Sequence, residues 1–109
     1  MKDLTDLEIC KRIVEIENRV IAGISSLNVF VKWEPSQIGI GNEQYDPLTD
    51  DALCFKLMLK YEVSLTYGGY AVTAEILIKK EDGEHSFATQ AYCPKRAICL
   101  AIIASKEGL

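Results

Sequence analysis

The sequence predicts an α+β domain, in which an antiparallel sheet of three to four strands packs with helices in the order α-β-α-β-β-β-α. Three observations indicate this class: a capping box near the N-terminus, alternating residues on both sides of a Gly-Gly pair, and a proline that opens a last helix. Strands joined by short turns pair antiparallel, and helices must cover their apolar face. With 109 residues, 49% of them hydrophobic, we expect residues 1–109 to form a single domain.

The first predicted helix begins at Thr5, because the Thr5 hydroxyl and the Glu8 carboxylate can each bind a free backbone N–H group. Apolar residues then recur at helical spacing, at Ile9, Ile13, Ile16 and Val20. Gly23 is the expected end of this helix. Residues 27–33 alternate as in a strand. Within residues 34–43, Pro35, Gly39 and Gly41 indicate a turn and a short edge strand.

Residues 45–63 predict a central helix with an unusually wide apolar surface. Either Asp46 before Pro47, or Thr49 before two aspartates, can cap its N-terminus. Only Lys56 and Lys60 mark a clear solvent strip. We therefore expect this helix to be buried on more than one side, by the domain core together with another layer or a partner chain.

The last third of the chain predicts three strands and a helix. Residues 63–67 and 70–80 alternate on either side of the Gly68-Gly69 turn signal, and residues 85–92 form a third strand after a turn at residues 80–84. Pro94 opens the final helix, which combines a face of small residues with bulky isoleucines.

Composition excludes several classes of function. Twelve basic and sixteen acidic residues give a net charge of −4, which lacks the excess of Lys and Arg that a phosphate-binding surface needs. The cysteines at 10, 54, 93 and 99 contain no C-x-x-C pair, and one histidine accompanies them, so the usual zinc sites are excluded. We predict no metal, no cofactor and no membrane segment, in a reduced, cytoplasmic protein.

Polar residues offer few candidate sites. Asp46, Asp50 and Asp51 are interpreted as helix caps rather than as a cation site, since no EF-hand spacing accompanies them. Lys95 and Arg96 lie just inside a helix N-terminus, where they and free N–H groups could hold a phosphate or carboxylate. His85 has no neighbouring group at a spacing that implies a catalytic triad. The sequence therefore names no catalytic residue, and an enzymatic activity has no support.

Aromatic residues lie at the ends of the predicted elements, where they can line a pocket or an interface or simply pack at strand ends. These candidates are Trp33, Tyr45, Tyr67, Tyr70 and Tyr92.

Three blocks carry a resemblance: LTDLEICKRIVEIE, YDPLTDDALCFKLMLKYEV and YCPKRAICLAIIAS. They resemble blocks of small proteins from tailed bacteriophages, in which an L-x-D helix, an N-P-L-T-D-D-x-x-A-L segment and a P-x-R-A-I-C-x-A helix follow one another. The set is similar to the phage ABA sandwich domain and, more distantly, to the NinX-like family. It departs from them at Tyr45-Asp46, where Asn commonly precedes Pro, and in a longer hairpin at residues 67–78. The resemblance implies a phage or prophage accessory protein in the host bacterial cytoplasm and supplies no catalytic residues.

Three functions follow as hypotheses. The first is a non-catalytic accessory protein that binds a host or phage protein, in host takeover or anti-defence, or that self-associates as a homo-oligomer. The second is a binder of a small anionic ligand such as a nucleotide, through Lys95, Arg96 and nearby aromatic rings. The third is an RNA- or DNA-binding module, since residues 70–109 resemble the end of a double-stranded RNA binding domain. Its basic residues are few, so it ranks last.

Overall fold

The computed structural model describes residues 4–19, 21–24, 29–32 and 42–107. It confirms the α+β class, with two antiparallel sheets of three strands each. The elements in chain order are α1 (Asp6–Ile16), β1 (Ile21–Ile24), β2 (Val29–Lys32), β3 (Asn42–Gln44), α2 (Asp51–Lys60), β4 (Ser64–Gly68), β5 (Ala71–Lys80), β6 (Gly83–Ala91) and α3 (Pro94–Glu107). The chain divides into two compact units, Lys2–Asp46 and Pro47–Leu109. Each is described in turn.

The capping box of α1 forms as predicted. The Glu8 N–H donates to the Thr5 hydroxyl over 3.2 Å, and the Thr5 N–H donates to the Glu8 carboxylate over 3.1 Å. These bonds from Thr5 lower the pKa of Glu8 because they stabilise the charged carboxylate. The buried side of α1, which includes Ile9, Ile13 and Val14, packs against β2.

The predicted end of the first helix at Gly23 is wrong. The helix ends at Ile16, and Asn18 follows with a φ of 56°. The Arg19 N–H donates to the Val14 carbonyl over 3.1 Å, which completes a Schellman motif. Asn is one of the few residues besides Gly that adopt the left-handed conformation, so the helix ends about two turns before the expected glycine.

Gly23 lies instead in β1, which the sequence analysis did not predict. Its strand pairs with β2, and the register shifts between Ile21 and Gly23. Of the predicted strand 27–33, the part Val29–Lys32 is confirmed as β2, and residues 27, 28 and 33 lie outside the described residues. Residues 34–41 of the segment expected to form a turn and a short edge strand lie outside the described residues, and β3, which begins at Asn42, pairs with β2. Val20 also lies outside the described residues.

The C-terminal unit contains the sheet β4-β5-β6. Helix α3 packs against both β5 and β6, and α2 packs against α3. The sheet face beneath the helices is formed in the centre by Val72, Ala74 and Ile76, which are buried. Both hairpins of the predicted meander are therefore present.

The first hairpin turn is shifted by one residue from the prediction. Gly68 pairs with Ala71, so the two-residue loop consists of Gly69 and Tyr70 rather than Gly68 and Gly69. Gly69 has a φ of +61°, as the first central residue of a type II′ turn requires. The shift places Tyr70 at the tip of the hairpin instead of in a strand.

Helix α2 begins one residue later than the Thr49 cap would place it, and it is buried on one side. Its N-cap is Asp50 rather than Asp46 or Thr49, and the Asp50 carboxylate accepts the Leu53 N–H over 3.1 Å. Within α2 only Cys54 and Leu57 are buried, while Phe55 and Leu59 are 57% and 61% exposed. The prediction of burial on more than one side is therefore wrong for the chain by itself. Among the described residues, no helix is long and apolar enough to cross a membrane.

Candidate functional site

A pocket of about 470 Å³ opens at the end of the C-terminal sheet where the β4–β5 turn lies beside the end of β6. The register explains this neighbourhood, because Gly68 pairs with Ala71 and Val72 pairs with Ala91. The residues that line the pocket are Gly68, Gly69, Tyr70, Ala71, Gln90, Ala91 and Tyr92.

The shape of this pocket follows from side-chain size. Gly68, Gly69, Ala71 and Ala91 carry no side chain beyond Cβ, so the strand ends leave a depression. The rings of Tyr70 and Tyr92 stand beside it and are 92% and 83% exposed.

Tyr67 is a third exposed tyrosine near this end of the sheet, but it does not line the pocket. It pairs with the buried Val72 and is 70% exposed. Because side chains alternate along a strand, it lies on the opposite face of the sheet from Gly68 of the pocket lining. We therefore call Tyr70 and Tyr92 alone the tyrosine surface. Large exposed aromatic side chains that keep a polar hydroxyl are typical of protein interfaces, where the ring is buried and the hydroxyl finds a partner.

The pocket lining is uncharged. Its polar groups are the two phenols, the Gln90 amide and the backbone. Such a lining favours an uncharged group that stacks on the rings or fills the depression, because a charged group would lose hydration without gaining an opposite charge. This chemistry fits the side chains of a polypeptide better than a phosphate.

Besides Tyr67, two of the five predicted aromatic candidates do not belong to this surface. Tyr45 is 3% exposed, its N–H donates to the Val29 carbonyl over 2.8 Å, and the Arg19 guanidinium lies 5.8 Å from its ring centroid. Its ring is thus a core element of the N-terminal unit, and the expectation that it lines an accessible surface is wrong. Trp33 lies outside the described residues.

The predicted anion site at Lys95 and Arg96 is changed by an ion pair. The Lys95 Nζ atom lies 2.7 Å from the Asp51 Oδ1 atom, and this contact raises the pKa of Lys95. The Lys95 charge is therefore compensated within the chain, and neither Lys95 nor Arg96 lines the pocket. Asp51, interpreted from the sequence as a capping residue, holds the Lys95 ammonium, while Asp50 makes the cap.

Two buried thiols lie between α2 and α3. The Cys99 thiol donates a hydrogen bond to the Cys54 sulfur, and this bond, helped by the Lys95 charge, lowers the pKa of Cys54. Cys10 is also buried, and its thiol donates to the Asp46 carboxylate over 3.5 Å, whereas Cys93 is exposed. Within residues 4–19, 21–24, 29–32 and 42–107, no three His, Cys, Asp or Glu side chains are grouped so that they could hold a metal ion.

His85 has a carboxylate neighbour that the sequence analysis did not identify. Its Nε2 atom lies 3.0 Å from the Asp82 Oδ1 atom, in the turn between β5 and β6. His85 pairs with Ile78 at the opposite end of β6 from the tyrosine surface. The contact is an exposed side-chain contact within a turn and is separate from the pocket.

No model of a known protein family matches the chain, and no curated protein sequence matches it.

Proposed function

We propose that the chain is a non-catalytic accessory protein of a tailed bacteriophage or prophage, which binds a host or phage protein in the host bacterial cytoplasm. The bound protein contacts the tyrosine surface, and its capture serves host takeover or the suppression of a host defence. The observation that carries the proposal is the exposure of Tyr70 and Tyr92, by 92% and 83%, beside one uncharged pocket.

The physical reason is the cost of leaving such rings in water. Each tyrosine can bury roughly 150–250 Å², and a few aromatic side chains usually carry most of the affinity of a protein interface. Two of them beside one pocket give this end of the sheet the composition of an interface centre. The phage assignment is supported by the resemblance of the three blocks quoted above.

The geometry favours a protein over the two other hypotheses. A small anionic ligand would need the Lys95 charge, which the Asp51 carboxylate already compensates at 2.7 Å. A nucleic acid would need a basic surface, and the chain has a net charge of −4 and a pI of about 5.0. Neither alternative gains support from the uncharged lining of the pocket.

The test is affinity capture from a bacterial host lysate, with and without phage infection, followed by mass spectrometry. The bait proteins are the wild type, the double variant Tyr70→Ala/Tyr92→Ala, and Phe55→Ala as the matched control. Phe55 is an exposed aromatic residue on α2, away from the pocket lining. We expect a protein that the wild type and Phe55→Ala retain and the double variant loses.

The captured protein is then purified and its affinity measured by calorimetry. Loss of two central aromatic contacts should weaken binding by about thirtyfold or more. Equal affinity of the wild type and the double variant would refute the tyrosine surface as the binding site.

A further inference from the structure

We propose that a second copy of this chain pairs with the outer edge of β6, so that two three-stranded sheets join into one continuous six-stranded sheet. Strand β6 is an edge of the C-terminal sheet, because among the described residues no further strand pairs with it. Its nine residues, Gly83–Ala91, pair with β5 without a register shift. β6 contains no proline, lysine or bulge, which are the usual devices that keep an edge strand from pairing.

The direction of the backbone groups on β6 follows from the first hairpin. In a two-residue hairpin the pair that closes the loop is hydrogen-bonded, so Ala71 of β5 points its backbone groups toward β4. Hydrogen-bonded and non-bonded pairs then alternate, and the next residue, Val72, points toward β6. The β6 residues whose backbone groups point away from the sheet are therefore Glu84, Ser86, Ala88 and Gln90.

These four outward residues make the edge complementary to itself. A twofold axis through Phe87 pairs Ser86 with Ala88 of the second copy, and Glu84 with Gln90 of the second copy, as antiparallel hydrogen-bonded pairs. Glu84 is the only carboxylate on β6, so no like charges face each other. Phe87, which is half-buried, meets Phe87 of the second copy in the closest pair, where aromatic contacts stabilise a sheet.

The helices above the sheet fit this arrangement. Helix α3 packs against both β5 and β6, so its axis lies near the gap between them. With strands about 4.8 Å apart, the two copies of α3 lie about 10 Å from each other, which is the distance at which two helices pack. The joined sheet thus needs no rearrangement of the helix layer.

The side chains on the exposed flank of α3 are also self-complementary. The Thr89 hydroxyl donates to the Ala97 carbonyl over 2.8 Å, and Phe87 lies about 6.6 Å farther along β6. Because α3 rises about 1.5 Å per residue, this distance corresponds to about four residues beyond Ala97. The twofold axis through Phe87 therefore passes close to residues 101 and 102 of α3.

When the two copies of α3 run antiparallel about this axis, Leu100 lies against Ala104 of the second copy, and Arg96 lies against Glu107 of the second copy. Leu100, Ala104 and Arg96 are half-buried and Glu107 is exposed in the single chain. A large side chain thus meets a small one, and a cation meets an anion. The axis chosen from the strand thus also makes the facing side chains of the two helices complementary, which selects a second copy rather than an unrelated peptide as the occupant.

The experiment measures the mass of the full chain by sedimentation velocity over about a hundredfold range of concentration, since association depends on concentration. Ala88→Pro removes an N–H group that points outward, a position that a strand tolerates, and Ala88→Thr is the matched control that keeps the N–H. We expect a dimer for the wild type and for Ala88→Thr, and a monomer with an unchanged circular dichroism spectrum for Ala88→Pro.

A charge exchange on α3 tests the same interface without touching the strand. Arg96→Glu should raise the dimer Kd by about tenfold, and adding Glu107→Arg should restore it. This pair of variants decides the question if Ala88→Pro does not fold. A monomeric wild type, a folded Ala88→Pro dimer, or dissociation by Phe55→Asp alone would overturn the proposal, the last because it would place the contact on α2.

Discussion

The Lys95 ammonium and the Asp51 carboxylate lie 2.7 Å apart and join the first turn of α3 to the first turn of α2. Asp51 thereby binds a cation, and its negative charge also interacts favourably with the positive end of the α2 dipole. The pair also lies near the Cys54 thiol. The pKa of Cys54 is lowered mainly by the hydrogen bond from Cys99 and, to a smaller extent, by the Lys95 charge. One ion pair thus links the packing of two helices to the charge around their buried thiols.

This ion pair predicts a loss of stability in alkaline solution. The contact raises the pKa of Lys95 above its ordinary value of 10.5, so the folded state binds the Lys95 proton more tightly than the unfolded state. Its stabilisation is complete below the unfolded pKa and is lost as the pH rises through the folded pKa. We expect Lys95→Met to be less stable than the wild type in urea at pH 8, with a difference that shrinks above about pH 11. A difference that is the same at both pH values would contradict the role of the Lys95 charge.

The capping box of α1 predicts a loss of stability in acidic solution. The bonds from Thr5 lower the pKa of Glu8 below 4.5, so their contribution is present above the unfolded pKa and is lost as the pH falls through the folded pKa. Glu8→Gln keeps the side-chain shape and an oxygen acceptor but removes the charge. The wild type should be the more stable protein at pH 7, and the two should converge in acid unfolding followed by circular dichroism. Parallel stability curves down to the lowest pH would speak against this.

The end of α2 predicts a stabilising substitution. Glu62 has a φ of 53°, and the Val63 N–H donates to the Met58 carbonyl over 3.0 Å, so Glu62 occupies the left-handed position of a Schellman motif. A non-glycine residue in this conformation costs about 1–2 kcal/mol. Replacing it with Gly removes this strain but costs roughly 0.5–1 kcal/mol, because Gly loses more backbone entropy on folding. Glu62→Gly should therefore raise the free energy of unfolding in urea by about 0.5–1 kcal/mol. Glu62→Ala, which keeps the strain, should change it little.

Thiol accessibility gives a simple check of the packing. Cys93 is exposed, whereas Cys10, Cys54 and Cys99 are buried, and a thiol reacts only where a reagent reaches its thiolate. Ellman's reagent should modify one thiol rapidly in the native protein and the other three only after unfolding. Cys93→Ser should remove the rapid phase. Rapid modification of two thiols in that variant would show that the α2–α3 contact opens easily.

The parts of the fold that the sequence predicts are local ones. The Thr5–Glu8 capping box, the helix that begins at Pro94 and the two hairpins depend on neighbouring residues, and all are found. The errors arise where two local signals compete. Asn18 ends α1 before Gly23 is reached, and Gly69 takes the first central position of the turn, so the loop moves by one residue.

The candidate site is predictable only in part. Once the hairpins are known, pairing along β5 brings Tyr70 and Tyr92 to one end of the sheet. The Lys95–Asp51 pair joins residues that lie far apart in the sequence, and no local pattern connects them. The apolar pattern of α2 also cannot tell whether Phe55 is covered, because the same pattern suits a buried helix and a helix with an exposed apolar side.

The alternating direction of the backbone groups along β6 gives this strand two rates of amide hydrogen exchange. In a single chain, the amides of Ser86 and Ala88 point into solvent and exchange rapidly, whereas those of Phe87 and Thr89 are held by β5 and exchange slowly. Pairing of two copies would protect the first pair and leave the second unchanged. The odd and even amides of one strand thus report separately on folding and on assembly, in a single spectrum of the unmodified protein.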